Sequence, residues 1–83
     1  ECFSINAAID MSRCPNTGGS AWIATAPNCD GGYAPGTTIT ASASAEDQKC
    51  HVDYWSGCGV SGGGASISFT ATGSCTVTAH MTY

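Results

Sequence analysis

The sequence predicts an all-β domain, and three observations carry that expectation. Apolar residues alternate with hydroxyl-bearing and other polar residues in one short stretch after another, the period-2 signature of half-buried strands. No stretch keeps a helical apolar period over two turns. Glycine and proline punctuate the chain at short intervals, with 11 Gly and 3 Pro among 83 residues. About six short strands separated by such turns describe one small β domain over residues 1–83.

The first predicted strand runs through residues 2–11, with Phe3, Ile5 and Ala7 on one face. Residues 12–19 break it, because Pro15, Asn16 and the Gly18-Gly19 pair are turn formers. The second strand covers residues 20–26. Ala21, Ile23 and Thr25 share one side, so Trp22 and Ile23 point to opposite sides. Residues 27–36 form a long turn region. Within it Pro35-Gly36 suits the centre of a type II turn, since proline fixes the first φ and glycine tolerates the positive second one. The third strand, residues 37–45, has the clearest alternation. Ile39, Ala41 and Ala43 face inward, while Thr38, Thr40, Ser42 and Ser44 face outward.

Residues 46–49 are a polar loop with room for one helical turn, followed by a strand over residues 50–55. There Val52 and Tyr54 alternate with His51 and Asp53, and Ser56, Gly57 and Gly59 end the strand. Tyr54 and Trp55 are therefore the expected core anchors. After a glycine-rich connection, residues 65–71 alternate at Ile67, Phe69 and Ala71. Thr72-Gly73-Ser74 is a tight turn, and residues 75–83 alternate at Val77, Ala79, Met81 and Tyr83. These last two strands are expected to form a hairpin.

The core of such a chain is thin: no Leu, five Ile, three Val and two Phe. Six cysteines compensate. An even number in so short a chain predicts three disulfides and an oxidising, extracellular or cell-surface setting. No Cys-x-x-Cys pair is present, and His51 and His80 are not at zinc-finger spacing, so neither a metal nor a cofactor is expected. Only Arg13 and Lys49 are basic, which excludes a nucleic-acid surface and disfavours anionic membranes. No apolar run is long enough for membrane insertion as a helix.

Catalytic readings are weak. A Ser–His–Asp arrangement can be built from His51 or His80 with Asp53, yet no Gly-x-Ser-x-Gly elbow supports it, and the chain is not expected to be an enzyme. The glycine loop at 61–64 lacks the Lys and helix of a phosphate loop. Asp30 beside Gly31-Gly32, and Glu46-Asp47, are more simply solvated turn carboxylates than calcium ligands. Trp22, Tyr33 and Tyr83 are the candidate contact surface, with Trp22 the foremost, because exposed aromatic residues mark interfaces.

Three segments carry a family resemblance: residues 32–40 (GYAPGTTIT), residues 54–57 (YWSG) and residues 76–81 (TVTAHM). With the opening Cys2-Phe3-Ser4-Ile5 and Ala26-Pro27-Asn28-Cys29, they resemble the divergent internalin B-type repeat of bacterial secreted and cell-surface proteins. The resemblance implies a compact, β-grasp-like β domain that acts as a stalk, spacer or adhesive surface, without shared catalytic residues. Cys14 and Cys50 are additions to that pattern, as is the stretch Glu46-Asp47-Gln48-Lys49.

Six cysteines allow fifteen pairings. The strand layout favours Cys2–Cys29 across a first hairpin, Cys58–Cys75 at the facing ends of two strands, and hence Cys14–Cys50. Bridges between subunits are the alternative. The expected function is a non-catalytic structural module of a bacterial cell surface, either a stalk or adhesion repeat or a subunit of an extracellular fibre. Its partners would be copies of itself or neighbouring surface-protein domains, with glycans as a further candidate. The alternative is a secreted disulfide-rich binding protein, such as an inhibitor, toxin or lectin-like module.

Overall fold

The computed structural model describes residues 1–83 as six strands without a helix: β1 (Ile5–Asp10), β2 (Gly19–Ile23), β3 (Thr38–Ala45), β4 (His51–Ser56), β5 (Ser66–Thr70) and β6 (Cys75–Thr82). They form two three-stranded sheets, ordered β1-β6-β4 and β2-β3-β5. β1 runs parallel to β6, and every other pair is antiparallel. The sheets pack face to face, with Val77, Ala79 and Met81 of β6 and Val52 and Trp55 of β4 against Ala41 and Ala43 of β3. Small alanines at the sheet centres suit a slender body of 40 × 20 × 15 Å.

The expected final hairpin is not formed. β5 pairs with β3 at the rim of one sheet, whereas β6 is the central strand of the other. Residues 71–74 therefore cross between layers. The start of β6 is held on the segment before β1 instead, where Cys75 N–H donates to the Ser4 carbonyl at 3.0 Å and Ser4 N–H donates to Ser74 Oγ at 3.0 Å. β1 is also shorter than its alternation suggests. Phe3 leaves the ladder to make an isolated bridge with Tyr33, with backbone bonds of 2.8 and 2.9 Å.

Tyr33 is thereby buried, at 5% exposure, in a second small cluster with Ile5, Ile39 and Ala71. Its hydroxyl donates to the Thr25 carbonyl at 2.6 Å. This overturns Tyr33 as a contact residue. Its polar tip is satisfied inside, so the ring can be buried at no hydrogen-bonding cost.

Tyr54 is the second correction. A register shift between Val52 and Tyr54 makes Asp53 a bulge residue in β4. The extra residue moves the inward phase by one position, so Trp55 follows Val52 into the core and Tyr54 turns outward. Trp55 is 1% exposed and donates its indole N–H to the Gly64 carbonyl at 2.8 Å, while Tyr54 is 46% exposed. Trp55 alone is the core anchor.

Three bridges join Cys2 to Cys29, Cys14 to Cys50 and Cys58 to Cys75, and no cysteine is free. These are the pairs favoured by the strand layout, but the first does not arise from a hairpin, because β1 and β2 lie in different sheets. It clamps the two segments that flank the Phe3–Tyr33 bridge. Ala34–Thr37 is the expected type II turn, with Gly36 at φ 84° and Thr37 N–H donating to the Ala34 carbonyl at 3.2 Å. Residues 46–49 form no helix. Their turn closes through the Cys50 N–H to the Asp47 carbonyl at 3.0 Å.

Candidate functional site

Four strands end the two sheets, and three of them are covered. β1 and β2 lie alongside each other without exchanging hydrogen bonds. The outer side of β4 is occupied by the glycine-rich loop, where Trp55 N–H donates to the Gly62 carbonyl at 2.7 Å. That leaves β5. Flanking bonds from Ala43 N–H to the Ala65 carbonyl and from Ala71 N–H to the Thr37 carbonyl, 2.9 and 2.8 Å, fix which residues pair with β3. By antiparallel alternation Ile67 and Phe69 bond inward, and the backbone groups of Ser66, Ser68 and Thr70 point away from the sheet. The strand carries no charge, no proline and no bulge.

The same sheet has an unusual outer face. β3 presents Thr38, Thr40, Ser42 and Ser44, β5 presents Ser66, Ser68 and Thr70, and β2 presents Ser20 and Trp22. Neighbouring hydroxyls are coupled across strands, Ser42 with Ser66 at 2.9 Å and Thr40 with Ser68 at 3.2 Å. Trp22, 44% exposed, stands opposite Ser42 in register, and Ser42 stands opposite Ser66. Tyr83 is also exposed, but it follows β6 in the other sheet, so Trp22, Tyr33 and Tyr83 do not form one platform.

A polar constellation lies on the outer face of the β1-β6-β4 sheet. The register places Asp10 beside His80 on one side and Tyr54 beside it on the other. His80 Nδ1 is 3.1 Å from an Asp10 carboxylate oxygen, and Nε2 is 2.7 Å from Ser56 Oγ. A carboxylate only accepts, so Nδ1 carries the hydrogen and, in the neutral ring, Nε2 accepts from the serine. The Tyr54 ring stacks on the imidazole, with centroids 4.2 Å apart. Asp10 is held down to about 2, below its ordinary 3.8, by the Ser12 backbone N–H, then by the Ser12 hydroxyl and by His80.

The carboxylate in this relay is Asp10, a partner that sequence reasoning missed. Asp53 instead pairs with Arg13 at 3.5 Å. No sequence signal linked Asp10 to His80, because they are brought together only by the parallel pairing of the first and last strands. The arrangement has the order hydroxyl, imidazole, carboxylate. It lacks a cleft at the hydroxyl end: a recess of about 140 Å³ lies on the carboxylate side, lined by Asp10, Arg13, Asp53, Tyr54 and His80 among others and not by Ser56.

A wider groove of about 390 Å³ opens beside the Cys14–Cys50 end of the sandwich, lined by Ala43, Ala45, Val52 and Met81 among others. No group of three or more His, Cys, Asp and Glu residues is arranged to hold a metal ion. No protein-family model, curated protein or solved structure matches the chain.

Proposed function

We propose that this chain is a non-catalytic structural module of a bacterial cell surface, which associates with copies of itself or with neighbouring surface domains by strand addition. The open, uncharged edge of β5 carries this reading. Natural sheets blunt such edges with charge, proline, bulges or cover, and β5 has none of these. An extended segment that pairs with it gains main-chain hydrogen bonds without any rearrangement of the module. The three disulfides suit an oxidising exterior, and the resemblance to B-type repeats supports a stalk, adhesion or fibre role.

Symmetry separates two forms of the proposal. Two β5 edges that pair with each other close a two-fold dimer, whereas a fibre requires β5 to meet a different surface of the next copy. Ser68→Pro is the test, because the Ser68 N–H points away from β3 and its loss removes no bond within the ladder. Native material should sediment as dimers or appear as filaments in electron micrographs, and Ser68→Pro should be monomeric. An unmodified chain that stays monomeric at high concentration, both alone and mixed with the domain adjacent to it on the surface, or a proline variant that associates as well as the parent, overturns the reading. In that case the second reading, a secreted disulfide-rich binding protein, takes its place, favoured by the exposure of Trp22.

A further inference from the structure

We propose that the outer face of the β2-β3-β5 sheet binds an uncharged polysaccharide, with Trp22 as its stacking platform. Charge argues for this partner. All eight Asp, Glu, Lys and Arg residues of the chain lie within residues 1–53, and none is among the outward residues of this sheet. The net charge of −4 repels polyanions, and no Lys or Arg stands on the face to hold a phosphate, sulfate or carboxylate. A lipid or an apolar protein surface would find eight hydroxyl side chains and one indole. A neutral polymer that is itself covered in hydroxyls finds matching chemistry.

The geometry suits such a polymer. Each Ser or Thr hydroxyl both donates and accepts, so the array does not demand one fixed donor pattern from its ligand. Trp22, Ser42 and Ser66 stand in one row across the three strands, and the Ser42–Ser66 bond of 2.9 Å holds the two hydroxyls in place. The row spans roughly 10 Å, two interstrand spacings. The residues around Trp22 on this face are short, and the indole is 44% exposed, so part of it is open to the C–H face of a sugar ring. Adjacent sugar hydroxyls then reach Ser42 and Ser66. A single module presents the whole row, so this site does not depend on strand addition. Where two β5 edges pair about a two-fold axis, their Ser66, Ser68 and Thr70 extend one hydroxyl face.

The experiment is depletion from solution by insoluble cellulose and chitin, with alginate beads as the charged control. The native protein is expected on at least one of the neutral polymers, and added salt should leave that binding unchanged, because no ion pair contributes to it. Trp22→Ala should weaken the affinity, read from the binding isotherm, about tenfold, a loss of about 1.4 kcal/mol. Ser42→Glu, which places a charge at the centre of the row, should abolish binding. Ser68→Pro keeps the row and should still bind as a monomer, so the two proposals fail separately. No retention on either neutral polymer, equal retention of Trp22→Ala, or retention on alginate that salt removes overturns the inference. A Trp22→Ala change that alters only the sedimentation of the protein also overturns it, and assigns the face to a second copy of the chain.

Discussion

Asp10 occupies the last position of β1, and its carboxylate accepts from the Ser12 N–H at 3.0 Å and from His80. These bonds favour the ionised form, which holds the group at about 2, below its ordinary 3.8. The folded state therefore binds the proton less readily than the unfolded chain does. The resulting stabilisation is complete above about pH 4, and it is lost as the pH falls through about 2. Asp10→Asn should flatten that part of the acid dependence, read as the thermal midpoint between pH 5 and pH 2. A variant whose midpoint falls as steeply as the parent's over this window would show that the Asp10 bonds contribute nothing.

β4 shows what one extra residue does to a strand. Its bulge at Asp53 turns Tyr54 to solvent, where it stacks on His80, and seats Trp55 in the core. Two adjacent aromatic residues thus have unequal roles. Trp55→Ala should cost about 3–5 kcal/mol, and Tyr54→Ala about 1 kcal/mol, measured by denaturant unfolding. Comparable losses at the two positions would contradict the bulge. The strand ends at Ser56, and the φ of 91° at Gly57 and its close approach to the Thr76 carbonyl leave no room there for a side chain. This tight exit delivers Cys58 to its bridge with Cys75.

The whole molecule depends on its bridges because its apolar side chains are few and small. Cys14 and Cys50 are both buried in the main core cluster, and they tie the segment after β1 to the entry of β4 across 36 residues. In the chain-entropy account a loop of that size contributes about 4 kcal/mol. The double variant Cys14→Ala, Cys50→Ala should lose about that much in denaturant unfolding, with the other two bridges intact by mass. A loss below about 1 kcal/mol would mean that packing, not the covalent link, stabilises this end of the sandwich.

Alternation and turn chemistry were enough for the all-β class, the six strands to within a few residues, the inward faces of β3, β5 and most of β6, and the Pro35-Gly36 turn; that Trp22 and Ile23 oppose each other was legible, but not which of them faces outward. Those features follow from period-2 alternation and local turn chemistry, which neighbouring residues decide. Tertiary structure alone decided how the strands are shared between two sheets, and with it the central place of β6 and the open edge of β5. It also decided the phase of β4, since a bulge changes the period without leaving a mark in composition, and the burial of Tyr33, which rests on a carbonyl eight residues away. The Asp10–His80–Ser56 relay belongs to the same group. Its members are far apart in the chain, and only the pairing of both β1 and β4 with β6 aligns them.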